Sequence, residues 1–410
     1  MTSFIQNFSR KVGASSATAD PRLAHVMEIL RTSAGETTEE QIRITEIPAP
    51  PFQESARSTY MKKLLASTGL RVETDGLGNV IGEWPGSSPV ILMLTAHLDT
   101  VFPAGTDVRV KRAGGRLLAP GISDNGTGLA ALVALANAFR EAKIKTNLTI
   151  LFVADVGEEG EGNLRGMRAL VESYKKRLKY IIALDGSATE YVTTAALASR
   201  RVEIAITGPG GHSWSDFGTP NPIHALGRGI ARFVSARVSE APRTSFNIGE
   251  IDGGTSVNTI PSSAKMKVDL RSESESDLSK LEVFLRDSVK AGIDEEMSAA
   301  RERGMASGAN LLNLKIEVLG VRPAGDLPEN SPLLAALQAA DNQLGNRSRH
   351  ERSSTDANIP LSMGIPAISL GAGGRSGGAH TLDEWYDPAG RELGLQRVAL
   401  TVLSLAGLAQ

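Results

Sequence analysis

Apolar runs at about 89–96, 147–154, 179–184 and 366–370 alternate with helix-patterned stretches at about 126–142 and 163–176. No other feature restricts the fold of this chain as much, because strands that alternate with helices pack as an α/β sheet with much parallel pairing. A further strand pattern covers about 71–84, and amphipathic helical patterns precede it at about 22–33, 37–46 and 53–68. The first 20 or so residues are small and polar and read as a loose arm.

Near Arg200 the texture changes. A strand pattern over Arg201–Thr207 is followed by a helix at about 221–238, strands near 243–251 and 262–271, a long helix near 275–303 and a strand near 312–319. This β-α-β-β-α-β order is the ferredoxin-like split pattern. The α/β pattern resumes at about 331–345 and ends in a helix at about 390–409, so the second unit is an insert. At 410 residues the chain is also too long for one ordinary core. The expected organisation is a mixed, mostly parallel sheet flanked by helices over 1–199 and 320–410, with an α+β domain inserted over 200–319.

Forty-four Lys and Arg against 46 Asp and Glu leave a formal charge of -2, so the charge balance offers nothing to nucleic acid or to an anionic membrane surface. A small-molecule partner is expected. The chain has no cysteine, which excludes a disulfide framework, a thiolate metal site and a cysteine nucleophile. No uncharged stretch approaches the roughly 18 residues of a membrane span, and the first ten residues lack a secretory pattern. The expectation is a cytoplasmic protein.

Several strand patterns end in groups that hold metal. The run Val90-Ile-Leu-Met-Leu-Thr-Ala-His-Leu-Asp-Thr100 delivers His97 and Asp99, and Glu158, Glu159 and Asp185 each follow a later run. Asp124 and His380 sit in glycine-rich turns. Ligands of open α/β sheets collect outside the carboxyl ends of the strands. An oxygen and imidazole set suits zinc or a similar divalent ion, with one carboxylate bridging two ions about 3.5–4 Å apart. A lone histidine or a lone pair of glutamates is usually solvated or structural, so the argument rests on the ordered set. His25, His224 and His350 have no such context.

The stretches His97-Leu-Asp-Thr100, Gly121-Ile-Ser-Asp-Asn-Gly-Thr-Gly128, Asp155-Val-Gly-Glu-Glu-Gly160, Ala183-Leu-Asp-Gly186 and Gly378-Ala-His380 resemble the successive motifs of the zinc amidohydrolase and peptidase family. That family contains peptidase T, glutamate carboxypeptidase, acetylornithine deacetylase and succinyl-diaminopimelate desuccinylase. The resemblance implies a two-zinc exopeptidase fold with an inserted lid and dimerisation domain. It implies that Asp124 bridges two zinc ions, with His97 and Asp185 completing one site and Glu159 and His380 the other. Cobalt or manganese could substitute for zinc. Asp99 would stand behind His97 and hydrogen-bond its far ring nitrogen, and Glu158 would be the general base. The family also places a cis peptide after the bridging aspartate. Many relatives have Asp where this chain has Asn125, a difference that touches local hydrogen bonding and not the ligands.

In the insert, His212 within Gly208-Pro-Gly-Gly-His-Ser-Trp-Ser215 resembles a family histidine that polarises the substrate carbonyl, usually in the partner subunit's site. Asn258 and Arg271 resemble substrate contacts, although an arginine closing a strand also reads as a surface ion pair. Ser354 and the glycine-rich Gly371-Ala-Gly-Gly374, with Gly373, resemble substrate-facing loops. Trp214 and Trp385 flank these motifs and read as packing or solvated residues. By the same resemblance the protein is a homodimer acting on a small peptide. The alternatives are deacylation of an N-acyl amino acid and silent binding of such a ligand.

Overall fold

The computed structural model describes residues 20–304 and 311–410. The expected N-terminal arm lies outside the described residues except for Asp20. The chain forms two compact units, one running to Ala196 and resuming over Gly325–Gln410, the other Leu197–Ala324. Both boundaries fall a few residues outside the expected ones. The second unit's first strand, Ala198–Thr207, begins before residue 200, and its last, Asn313–Arg322, continues past 319.

The first unit is built on a nine-stranded sheet. Its centre is four parallel neighbours in the order Thr146–Asp155, Gly86–His97, Leu178–Leu184 and Ala367–Leu370. These are the strands that the apolar runs predict. Pairings toward both margins are antiparallel except that of Arg349–Ser353 with Tyr191–Ala196, giving a mixed α/β sheet with helices packed on it. Ile91, Leu92, Met93 and Leu94 are fully buried, and each such side chain contributes roughly 1.5–3 kcal/mol. The helix Gly126–Glu141 is apolar nearly all round and almost wholly buried, as a helix covered on several sides must be. Its Phe139 makes edge-on contacts with Trp84 and Phe152 at 6.1 and 6.0 Å between ring centres.

Because the central strands are parallel, their carboxyl ends open on one edge. His97 is the register partner of Asp155 there, and Asp185 follows Leu184 with its N–H donated to Leu370 O. A small antiparallel sheet of Lys111–Ala113, Arg116–Leu118, Trp385–Asp387 and Arg375–Gly377 carries the His380 loop between its last two strands.

The stretch expected as one strand over 71–84 is a hairpin of Arg71–Thr74 and Val80–Trp84. Asp75 makes the turn, its Oδ1 accepting the N–H groups of Leu77, Gly78 and Asn79, a bonding pattern that draws aspartate into turns.

The second unit has a four-stranded antiparallel sheet in the order Thr244–Gly253, Ser263–Ser272, Ala198–Thr207, Asn313–Arg322. Helices Pro222–Phe233 and Glu275–Glu302 pack on it, giving the ferredoxin-like order. They approach closely: a side chain on Gly292 would meet Ala225 O and Gly229 N at 2.5 Å. One element is added, a two-residue pairing of Gly211–His212 with Thr259–Ile260. Among the described residues no helix is long and apolar enough to cross a membrane.

Candidate metal centre

Four of the five residues read as metal ligands converge around one carboxylate. Asp124 Oδ1 faces His97 Nε2 at 3.0 Å and Asp124 Oδ2 faces His380 Nε2 at 3.0 Å. His380 Nε2 is also 3.0 Å from Glu159 Oε1. The fifth residue, Asp185, stands 3.9 Å from His97 Nε2. Ligand atoms of His97, Asp124 and Glu159 all lie within 4.8 Å of one another.

Local structure aims each group. Asn125 caps the helix Gly126–Glu141 by accepting Gly128 N–H, and its amide donates to Leu184 O, tying the Asp124 loop to the strand before Asp185. The Asp124–Asn125 peptide is cis, as the resemblance implies. His380 adopts a left-handed φ of 66°, a conformation that costs a non-glycine residue about 1–2 kcal/mol and that clusters at functional sites.

Asp99 differs from expectation. His97 Nδ1 meets the backbone carbonyl of Asp99 at 3.0 Å, while the Asp99 carboxylate lies 3.8 Å away. That carboxylate instead accepts the N–H groups of Glu158 and Glu159 at 3.0 and 2.8 Å. Two backbone donors satisfy a buried carboxylate and leave no reason to turn it toward the ring. The carbonyl accepts the Nδ1 proton and so orients the ring with Nε2 toward Asp124. The carboxylate fixes the backbone of the two glutamates.

The charges call for a cation. Burial opposes a charged His97, yet Asp124, Asp185 and Glu158 hold its imidazole well above the ordinary value. Hydrogen bonds to Asp124 and Glu159 push His380 up to about 10. Burial and the neighbouring Asp124 push Asp185 up to about 8. Burial likewise raises Asp155, to about 7, against its neighbour Asp356. Asp124 Oδ1 is buried without a hydrogen-bond partner. A buried carboxylate oxygen 3.0 Å from an imidazole nitrogen has the spacing of two ligands of one divalent ion: ligand atoms about 2.0–2.2 Å from one zinc stand roughly 3–4 Å apart.

Two supporting residues were not found from the sequence. Glu384 is fully buried and its carboxylate accepts from Gly121 N, Ser123 N, Ser123 Oγ and Asp124 N at 2.6–3.0 Å. It thereby clamps the Asp124 loop from a position four residues after His380. Arg57, also buried, donates to Thr45, Ile47 and Leu98 carbonyls. Its charge was the available signal, since a buried arginine needs such partners. If the cluster holds a metal ion, Glu384→Gln is expected to weaken its binding about 10–100-fold, because the amide turns an NH2 toward N–H donors. Zinc titration against a competing chelator measures this, and unchanged affinity would show that the loop keeps its shape unaided.

The remaining predicted residues are distributed over both units. In the second unit His212 is exposed, and its Nδ1 accepts from Trp214 N and Ser215 N at 3.2 and 3.3 Å. Its proton therefore sits on Nε2. Asn258 O accepts Ser213 N–H, joining the two loops. Arg271 Nε donates to Asp269 at 2.6 Å, the ion pair that the sequence left as its alternative. In the first unit Ser354 is part-buried just after the strand Arg349–Ser353. Gly373 is buried, donates its N–H to Ser187 O, and would carry any Cβ to 2.3 Å from Arg391 O. Close packing against Arg391 accounts for a glycine at that position.

The sequence pattern of Peptidase family M20/M25/M40 matches residues 93–404. Carboxypeptidase G2 of Pseudomonas sp. is 25% identical over 329 residues, 76% of this chain and 74% of that protein. Succinyl-diaminopimelate desuccinylase of Corynebacterium glutamicum is 25% identical over 352 residues, 83% of this chain and 89% of that protein. The crystal structure of aminopeptidase PepT from Bacillus cereus superposes with a TM-score of 0.69 at 21% identity, covering 91% of this chain and 99% of its own. At that identity the likeness is one of fold.

Proposed function

The chain belongs to peptidase family M20/M25/M40 and is a hydrolase of amide C–N bonds; from that premise we propose that it is a two-zinc exopeptidase of di- and tripeptides. The observation that carries the reading is the Asp124 carboxylate, whose two oxygens face His97 and His380 at 3.0 Å each. In this proposal Asp124 would be the ligand common to two ions, with His97 and Asp185 available to one and Glu159 and His380 to the other. Zinc ions there, or cobalt or manganese in their place, would polarise the scissile carbonyl and make the attacking water more acidic.

The chain's own groups move the protons. Glu158 takes a proton from the water as its oxygen bonds to the amide carbon, and the same carboxyl returns it to the leaving nitrogen as the C–N bond breaks. Asp99 keeps that glutamate in place through the backbone bond described above. His212, with its proton on Nε2, donates to the carbonyl oxygen as negative charge develops. Asn258, Arg271 and Ser354 contact the substrate.

Assembly as a homodimer, with His212 serving the partner's site, belongs to the same proposal. Supporting it, the edge strand Thr244–Gly253 leaves one side unpaired, and a hollow beside it is lined by Ile230, Val234, Phe246, Asn247, Ile248 and Ile251. Such edges invite pairing with another copy. A cytoplasmic location completes the proposal.

The likeness to a desuccinylase favours N-acyl amino acid deacylation as the second reading. Both are tested by measuring metal content after zinc loading, and cleavage of tripeptides and of N-acetyl and N-succinyl amino acids before and after chelation. Two zinc ions per chain with chelator-sensitive tripeptide cleavage is the expected result. Cleavage of the acyl compounds alone would replace the peptidase by a deacylase. Metal without turnover would leave a silent binder, and no metal would remove the proposal.

A further inference from the structure

The turn that carries Glu158 and Glu159 is held at several points in the first unit. Asp99 accepts the backbone N–H groups of both glutamates. The neck of the turn is tied by Gly166 N–H on Val156 O and by Asn79, whose side chain bonds Val156 N and Gly166 O. Gly157, the residue before Glu158, has a left-handed φ of 70° and is closed in by Gly162 and Arg165. A Cβ on Gly157 would meet Arg165 Nη1 at 1.9 Å, and a Cβ on Gly162 would meet Gly157 Cα at 2.6 Å. The Arg165 guanidinium thus lies against the residue from which Glu158 departs.

Arg165 is itself held by residues far away in sequence. Its Nη2 donates to Glu54 Oε1 at 2.6 Å, and the same oxygen accepts Phe52 N–H at 3.0 Å. The Phe52 ring covers the cation, with Arg165 Cζ 4.5 Å from the ring centre. Side-chain exposures of 5% for Glu54 and 22% for Arg165 make this a largely buried pair, and its carboxylate would be costly to leave alone. Phe52 has a φ of 67°, which is rare for a bulky residue. Such a conformation persists where neighbours impose it, and it gathers at functional sites. A ring, a strained backbone and a buried carboxylate therefore converge on one guanidinium beside the turn.

We propose that Glu54 and Arg165 are positioning residues for hydrolysis: the pair, covered by Phe52, fixes Gly157 and through it the direction in which the Glu158 carboxyl leaves the turn. This rests on the reading above in which Glu158 is the general base. Arg165 then governs the rate of proton transfer and not the holding of metal, because Glu159 keeps its own bond to Asp99 and His97, Asp124 and His380 stand on other segments of the chain.

The test compares the full-length, zinc-loaded protein with Arg165→Met, Arg165→Lys and Glu54→Gln on tripeptides and N-acyl amino acids. Arg165→Met keeps the stem and loses the guanidinium; kcat is expected to fall about 10–100-fold with KM within about twofold, the effect of a misplacement near 1 Å. Arg165→Lys can still meet Glu54 and should turn over at least about threefold faster than Arg165→Met. Glu54→Gln keeps the shape and an acceptor without the charge, and should lose about 3–10-fold in kcat. Zinc content should match the wild type in all three. In the Glu158→Gln protein, adding Arg165→Met should lower the residual rate less than about twofold, because the group that it aims is gone. Wild-type kcat in Arg165→Met, zinc lost in step with activity, no gain from lysine, or an undiminished effect in the Glu158→Gln protein would overturn the proposal. If Arg165→Met does not fold, the lysine and Glu54→Gln variants decide by the same kcat and zinc readings. Near-normal turnover in Glu158→Gln removes the parent reading and this one with it, whereas a slow Glu158→Gln beside a normal Arg165→Met removes this one alone.

Discussion

Glu158→Gln is expected to lower kcat about 10²–10⁴-fold while zinc content and melting temperature stay at the values of the unaltered protein. The side chain is buried, and its backbone N–H is held by Asp99 at 3.0 Å, so glutamine can occupy the same space. It cannot accept the water's proton. Glu159, whose Oε1 reaches His380, keeps its position through its own bond to Asp99 and should remain available in its proposed role as a metal ligand. Steady-state rates on a tripeptide, with elemental analysis of the same sample, decide the matter. Near-normal turnover in a fully metallated variant would remove Glu158 from the chemistry and require another base.

The course of the sheet was legible because burial on both faces writes strands such as Ile91–Leu94 and Ile150–Ala154 as continuous apolar runs. Strands with one wet face or in small sheets were not. Tyr191–Ala196 reads Tyr-Val-Thr-Thr-Ala-Ala and carries no comparable run, and Lys111–Ala113 and Arg116–Leu118 are three residues each. The hairpin at 71–84 was merged into one strand because both arms are strand-like and the Asp75 turn between them is short.

At the site, residue types and their place after strands pointed to His97, Glu158, Glu159 and Asp185, and the structure gathers His97 and Glu159 with Asp124 and His380. What escaped was the supporting layer. Glu384 belongs to an Asp-Glu-Trp run that reads as solvated, and its function depends on four donors more than 250 positions away. Asp99 was assigned to the right neighbourhood with the wrong bond, since no one-dimensional pattern distinguishes a carboxylate from the carbonyl of the same residue. Glycine serves close helix packing and close ligand approach alike, so the sequence does not distinguish the two at Gly373.

Asp124→Asn is expected to separate ligand chemistry from proton transfer by failing in the opposite way from Glu158→Gln. Among the described residues Asp124 is the one group whose two oxygens face both histidines, and the neighbouring imidazoles of His380 and His97 outweigh its burial and hold the carboxyl well below the usual carboxylate range. Asparagine keeps the volume and the loop contacts of the backbone but removes the charge and one of the two acceptors. It also presents NH2 to a lone pair or to an ion. Loss of zinc affinity should exceed the roughly 10–100-fold typical of supporting residues, and hydrolysis should fall with it. Excess zinc should restore little, because the shared ligand and not the zinc supply is limiting. If the asparagine variant binds two zinc ions with ordinary affinity, the bridge is not Asp124. If it binds one ion tightly and loses the other, the carboxylate serves a single ion, and the pairing of His97 with His380 across it must be redrawn.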